Sequence, residues 1–311
     1  MTPRRSRAAR RALLGLVAAV ATAVLAWPAQ ATVTGTYTVW TWNVAGWAMH
    51  RGSTSDGLMP TIADSVQRNG ADLVALNELC EDQFVAMVDE LAAAGWAEDP
   101  TNFARFEPHS PTACGGQPFG LAIFSKAPLG TANRYVLPSD GTSEGRRLLC
   151  APLKSRPRLR FCTSHITPDT AVINGARATA TQLDDVLRRL ESFDAAGDTV
   201  LLAGDLNAQP SYGRLDSWYS AAVDTAHNGS NHGDYRELDD TDRRCPGYGE
   251  ATTAGSSGGE CGQSPKIDLI FARADRIVGS YSADSLAIPV CGARPCSDHR
   301  TVVGTVRVSV G

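Results

Sequence analysis

The residues of this chain with the clearest capacity for chemistry stand where runs of β-forming residues stop. "VLLAGDLNAQP" (200–210) carries five apolar or small residues into Asp205 and Asn207, and Pro210 closes the run. In extended chain the side-chain period is two, so Asp205 and Asn207 are expected on one side and Leu206 on the other. Five further runs end comparably: "TWNVAG" at Asn43, "ALNEL" at Glu78, "TSHI" at His165, "KIDLIF" at Asp268, and "CSDHRTV" at Asp298 and His299. Singly, each residue reads as a turn, a helix cap or a hydrogen-bonded polar side chain. Together they form a working inventory, because strand ends in layered folds converge where ligands bind. The acids and amides offer the hard oxygen ligands that Mg²⁺, Mn²⁺ or Ca²⁺ takes. The two histidines offer proton transfer, and a metal with His⁺ stabilises charge developing on phosphorus.

The elements that must hold these residues follow from periodicity. "GTYTVWTWNVAG" alternates and predicts a strand ending near Asn43. A helix is expected over 60–68, then a strand over 72–76 that delivers Glu78. "DQFVAMVDELAAAGW" predicts a second helix, "FGLAIFSKAPLG" a strand, and "ARATATQLDDVLRRLESF" a long amphipathic helix leading into the strand of Asp205. "KIDLIFARA" and "HRTVVGTVRVSV" close the chain as strands. Residues 227–265, polar and glycine-rich, and 108–117 read as loops. Strands outnumber helices and no linker or repeat interrupts them, so two sheets packed face to face with helices outside, in one domain over 32–311, is the expected layout.

Composition narrows the setting. Residues 1–31 join a basic start (Arg4, Arg5, Arg7, Arg10, Arg11) to an apolar run over 12–27 and an Ala29-Gln30-Ala31 site. This is the pattern of a cleaved secretory signal rather than a membrane anchor. Arg10-Arg11 before "ALLG" resembles a twin-arginine signal, so the export route stays open. Without these residues the chain has 24 basic against 33 acidic residues, a formal charge of about −9. An extended phosphate-gripping surface normally needs a basic excess, so any nucleic-acid site must be local.

All eight cysteines lie beyond residue 31, an even number suited to disulfides in an exported chain. Cys150 and Cys162 flank Arg156 symmetrically in "LLCAPLKSRPRLRFCTS", so a hairpin there sets them opposite each other. Sequential pairing gives Cys80–Cys114, Cys245–Cys261 and Cys291–Cys296 for the rest. No Cys/His spacing matches a zinc site. Four bridges in a chain of this length favour a stable monomer.

In order along the chain, "TWNVAG", "ALNEL", "TSHI", "GDLNAQP", "KIDLIF" and "CSDHRTV" resemble the motif series of the endonuclease/exonuclease/phosphatase superfamily, whose type is deoxyribonuclease I. The resemblance spans about residues 36–308 and implies a four-layer α/β/β/α sandwich of two mixed sheets. It further implies that Asn43 and Glu78, with Asp298 in some metal-bound states, hold a divalent cation, usually Mg²⁺. Asp205 would orient or deprotonate the attacking water, and Asn207 would bond the phosphoryl oxygens. His299 would serve as base or charge stabiliser, oriented by Asp268, and His165 would bind phosphate and help protonate the leaving oxygen. Arg146 or Arg147, in "EGRRLLC", would add a phosphate contact. Asn77 replaces the glutamine of many relatives and, with "GLAIFSK", is similar to bacterial neutral sphingomyelinases, whereas "TWNVAG" leans toward toxin-like nucleases. Export speaks against abasic-site repair and cytosolic inositide signalling. The implied activity is a secreted metal-dependent phosphodiesterase: a nuclease of the deoxyribonuclease I type first, a phospholipid or sphingomyelin hydrolase second, a phosphomonoesterase third. Its substrate is a nucleic acid or a phospholipid headgroup. The competing class is a non-catalytic extracellular binding module on the same fold.

Overall fold

The computed structural model describes residues 33–168, 170–254, 261 and 265–311; the expected export signal lies outside them. In chain order come β1 (Val33–Asn43), α1 (Leu58–Arg68), β2 (Leu73–Cys80), α2 (Glu81–Ala93), β3 (Ala104–Cys114) and β4 (Gln117–Ser125). There follow β5 (Asn133–Val136), β6 (Arg147–Leu153), β7 (Arg156–Ser164), the short pair β8 (Val172–Ile173) and β9 (Ala176–Arg177), and α3 (Ala178–Ala195). The chain closes with β10 (Thr199–Asp205), β11 (Tyr235–Glu237), β12 (Asp268–Arg273), β13 (Ser282–Ser285), the short pair β14 (Val290–Cys291) and β15 (Arg294–Pro295), and β16 (Val302–Val310).

Two six-stranded sheets result, ordered β13-β16-β1-β2-β4-β3 and β11-β12-β10-β7-β6-β5. Each is mixed in the same manner. A parallel pair sits inside, β1 with β2 and β7 with β10, and antiparallel neighbours flank it. Parallel pairing demands a crossover, and α1 and α3 supply the two.

Side-chain alternation turns this topology into layers. On β1, Tyr37 and Val39 enter the core between the sheets, while Trp40 and Trp42 pack outward with α1 residues Leu58, Ile62 and Val66. On β10, Leu201 and Ala203 face inward, and Val200 and Leu202 pack outward with α3 residues Leu183, Val186 and Leu190. The product is the expected α/β/β/α sandwich, and residues 32–311 form one compact unit. Among the described residues no helix is long and apolar enough to cross a membrane.

The four disulfides are Cys80–Cys114, Cys150–Cys162, Cys245–Cys261 and Cys291–Cys296, the expected pairing. Cys150 and Cys162 sit directly opposite each other in β6 and β7. Their hairpin turns at Lys154-Ser155, the first half of the expected "KSRP" turn, with Arg156 already opening β7, and a bulge beside Pro152 absorbs the offset.

Two expected loops are partly sheet. Pro108 to Cys114 belongs to β3, whose polar residues occupy the end strand of the first sheet, where one edge needs no apolar partner. Within 227–265, "YRE" forms β11, and its last residue, Glu237, and Asp239 just beyond are buried rather than solvated. Their charge is met by Lys266, itself fully buried, whose Nζ lies 2.8 Å from Asp239 and 3.3 Å from Glu237. Charge pairing across 27 residues of sequence hides an interior segment behind an acidic composition.

Candidate active site

The alternation that builds the inter-sheet core also builds the site at its end. Continuing the inward positions Val39, Ala75, Phe161, Ala203 and Ile270 along their strands leads to Asn43, Asn77, His165, Asp205 and Asp268. The apolar seam between the sheets thus runs out into amides, carboxylates and imidazole at one edge. Strand pairing sets neighbours: Asn43 opposite Asn77, and Asp205 opposite Asp268.

Glu78 needs more than alternation, since a regular strand would send it to the outer face. The pairing of β2 with β4 shifts register between Leu76 and Leu79, and Glu78 takes a left-handed φ of 59°. This irregularity brings its carboxylate to Asn43, whose Nδ2 donates to Glu78 Oε1 and to Asp205 Oδ2, both at 3.0 Å. Left-handed backbone at a non-glycine residue costs of order 1–3 kcal/mol and collects at working sites. Asn207 is a second instance, with φ 46°. It lies beyond β10 in a tight bend, so the extended geometry expected for Asp205-Leu206-Asn207 does not hold. Instead its backbone N–H donates to Asp205 Oδ1 (3.0 Å) and its Nδ2 to the Ile166 carbonyl (2.8 Å). The Asn207 amide is thereby fixed beside His165 by hydrogen bonds rather than by strand parity.

Asp268 opens β12 rather than ending it, and Asp298 and His299 lie in the segment before β16. Ser297 anchors that segment: its Oγ donates to the Asn43 carbonyl (2.7 Å) and accepts from His299 N–H (3.0 Å). Trp42 Nε1 donates to the His299 carbonyl at 2.9 Å. Asp298 is exposed beside this anchor.

The pocket is electrostatically lopsided. His299 Nδ1 lies 2.8 Å from Asp268 Oδ2, and its Nε2 lies 3.8 Å from Asp205 Oδ2. Burial works against the imidazolium, but the Asp268 charge and hydrogen bond, then Asp205 and Asp298, outweigh it and raise His299 to about 10. Asp205 is fully buried, and burial together with Asp268 pushes its carboxyl up to about 7 against the pull of His299 and Asn43. Glu78 is likewise raised, chiefly by burial, with Asp298 and Glu144 adding repulsion. His165 moves the opposite way: burial, then Arg146, His109 and His299, hold it well below the ordinary histidine value. Its Nε2 faces Asp205 at 3.6 Å and Glu78 at 4.0 Å.

Carboxylates at 78, 205, 268 and 298 thus meet one imidazolium, and Asp268 Oδ1 is buried without a hydrogen-bond partner. Surplus negative charge presented by oxygen atoms fits a hard divalent cation. Among the described residues, Asp205, Asp268 and His299 each offer a ligand atom within 4.8 Å of the other two, and Asn43 links Glu78 to Asp205 beside them.

Of the two arginines, the structure places Arg146 beside His165, with its Nη1 3.0 Å from Glu144 Oε1. Arg147 pairs instead with Glu107 of β3 at 3.5 Å. One buried neighbour, His109, escaped the sequence reading, and so did the hydrogen bond made by Asn77. His109, on β3, lies 5.8 Å from His165, ring centre to ring centre, with the two rings tilted by 39°. Asn77 accepts the Asp205 N–H at 2.8 Å through its Oδ1 and so ties the two sheets together. His109 was hidden because 108–117 reads as a loop, whereas it belongs to β3.

A two-sheet sandwich that gathers carboxylates, amides and imidazoles at one end of its inter-sheet seam is the layout of a phosphoric ester hydrolase. The chain belongs to the Endonuclease/Exonuclease/phosphatase family, whose model matches residues 40–299. No curated protein matches it. Among solved structures, the human Nocturnin catalytic domain with bound sulfate is similar at TM-score 0.64 and 15% identity, over 90% of this chain and 97% of that one. An endonuclease/exonuclease/phosphatase from Beutenbergia cavernae is similar at TM-score 0.59 and 21% identity, over 88% of this chain and 72% of that one. Zebrafish (D. rerio) TDP2 complexed with single-strand DNA product gives 0.56 and 18%, over 87% and 98%. At these identities the likeness establishes the fold.

Proposed function

We propose that this protein is an exported, divalent-metal-dependent phosphodiesterase that cleaves by in-line attack of water, with a nuclease of the deoxyribonuclease I type as the leading form. The observation that carries the reading is the buried Asp268–His299–Asp205 chain facing Asn43 and Glu78 in one pocket. Asn43 and Glu78, with Asp298, would hold the cation, most simply Mg²⁺. When bound, it supplies Lewis-acid stabilisation of phosphoryl charge.

The protein groups divide the remaining work by their protonation. Asp205, raised to about 7, accepts the proton of the attacking water near neutral pH. As that O–P bond forms, the bond from phosphorus to the leaving oxygen breaks. His299, raised to about 10, is an imidazolium at neutral pH and so serves as charge stabiliser rather than base. The neutral His165 donates an N–H hydrogen bond to the phosphate, and the departing oxygen takes its proton from solvent. Asn207 and Arg146 add donors to the non-bridging oxygens. The DNA product carried by the TDP2 neighbour is consistent with a nucleic-acid substrate, reached through a local groove because the chain is acidic overall.

Purified protein with Mg²⁺ is expected to hydrolyse bis(4-nitrophenyl) phosphate and to lose activity in EDTA. No turnover with any divalent ion refutes the enzymatic reading and leaves the binding-module alternative. A panel of plasmid DNA, RNA, sphingomyelin and inositol phosphates then tests the nuclease assignment, which fails if a lipid or a monoester is the preferred substrate.

A further inference from the structure

We propose that His109, Glu144 and His165 form a second metal site, selective for a borderline first-row ion such as Zn²⁺, whose occupation withdraws His165 from the phosphoester pocket. One donor atom from each residue lies within 4.8 Å of the other two. The three come from separate parts of the fold: His109 from β3, Glu144 from the β5–β6 connection, and His165 from just beyond β7.

Three observations point to an ion. First, both imidazoles are 4% exposed, and each has a nitrogen without any hydrogen-bond partner, Nε2 on His109 and Nδ1 on His165. A buried polar atom left unmade costs ~1–3 kcal/mol. Two such atoms lie on neighbouring rings, and His109 Nδ1 is 3.4 Å from Glu144 Oε1, so nitrogen lone pairs and a carboxylate are gathered within reach of one ion. Second, two carboxylates, Asp140 and Glu144, share one guanidinium, Arg146, at 3.7 and 3.0 Å, so Glu144 is not held by an arginine of its own. Third, a route exists, since the Glu144 side chain is 30% exposed while the imidazoles behind it are buried.

The ligand chemistry separates this site from the neighbouring one. Two imidazole nitrogens and one carboxylate suit Zn²⁺, Cu²⁺ or Ni²⁺, whereas the amide and carboxylate oxygens of Asn43, Glu78 and Asp298 suit Mg²⁺ or Ca²⁺. Tetrahedral bonds of ~2.0–2.1 Å place donors about 3.3 Å apart, so side-chain movement of about an ångström closes the set and leaves a fourth position for water. Of the three, only His165 touches the hydrolytic step directly; Glu144 meets it through Arg146, and His109 has no part in it. Binding of the ion stands apart from the phosphodiesterase reading, and only its inhibitory consequence rests on that reading.

The test is equilibrium dialysis of the purified protein against micromolar Zn²⁺ in millimolar Mg²⁺, with Co²⁺ as a visible-absorption probe. Retention of one Zn²⁺ per chain is expected, with an intense four-coordinate Co²⁺ spectrum. His109→Gln and Glu144→Gln, each checked for an unchanged thermal melt without metal, should weaken Zn²⁺ by at least ~100-fold, beyond the 10–100-fold that losing a ligand's hydrogen-bond partner costs. Zn²⁺ should inhibit aryl phosphodiester hydrolysis by the natural protein and spare His109→Gln. No Zn²⁺ retained by the natural protein overturns the proposal. So does equal retention by His109→Gln, which places the ion at Asn43 and Glu78 or on the exposed His227 and His232. A protein that binds Zn²⁺ through His109 yet hydrolyses no phosphoester upholds this site and refutes the proposed function instead.

Discussion

Exchanging Asp268 for Asn retains the side-chain shape and removes the charge that keeps His299 protonated. Burial alone would hold His299 below its ordinary 6.5, and the carboxylate 2.8 Å away is the main reason it stands at about 10. Returning from about 10 to 6.5 amounts to about 5 kcal/mol at ~1.36 kcal/mol per pKa unit. In the variant, a pKa of 6.5 leaves ~3% of His299 protonated at pH 8, a loss of about 30-fold in the active form. Misorientation of the ring adds to this, as an unrelated buried Asp–His pair loses ~10⁴ in kcat on the same exchange. We therefore expect kcat on bis(4-nitrophenyl) phosphate to fall by ~10²–10⁴ at pH 8, with the deficit narrowing toward pH 6 as His299 regains its proton. Stability gives an independent reading. The folded pKa exceeds the unfolded one, so the pair contributes fully below about 6.5 and loses its contribution as pH rises through about 10. In metal-free protein the natural Tm should fall across that window, and the Asp268→Asn Tm should not. A deficit that stays constant with pH refutes the reasoning, as does an NMR titration placing His299 of the natural protein near 6.5.

Three further outcomes follow from the geometry. Glu78→Gln should raise the Mg²⁺ concentration for half-maximal activity by ~10–100-fold or more, and an unchanged midpoint in a Mg²⁺ titration removes Glu78 from the cation site. Lys266→Met leaves Glu237 and Asp239 buried without their counter-charge and should cost ~3–5 kcal/mol in urea unfolding; a cost below ~1 kcal/mol means both acids are protonated in the fold. Gly204→Ala sets a Cβ 2.3 Å from the Ser164 carbonyl at φ 155°, so it should displace β10 from β7 and cut kcat along with stability. Full activity in that variant shows that the strand position does not fix Asp205.

The inward-facing half of the site was legible because it obeys a local rule. Asn43, Asp205 and His165 continue the alternation of their own strands, so their placement follows from period two once the strands are recognised. The disulfide register at Cys150–Cys162 was legible for the same reason. Glu78 and Asn207 reach the pocket through left-handed backbone, which no side-chain pattern announces, and Asn207 lies in a bend rather than in the extended chain expected for it. His109 and the Lys266–Glu237–Asp239 cluster stayed hidden because their partners come from distant elements and polar composition mimics exposed loop. Arg146 and Arg147 are adjacent and chemically identical in sequence, and only the contacts of Glu144 and Glu107 tell them apart.

The Asn77 hydrogen bond to Asp205 N–H joins residues of opposite sheets at the mouth of the seam. Neither sheet owns a functional pocket: Asn43 and Glu78 belong to one, and Asp205, Asp268 and His165 to the other. The pocket therefore exists only where the two sheets are docked, and not in either sheet alone. During refolding, circular dichroism should recover first and turnover only when the halves lock together. Catalytic activity in this protein is in effect a ruler laid across its own interior, and slippage by one pleat would read as zero.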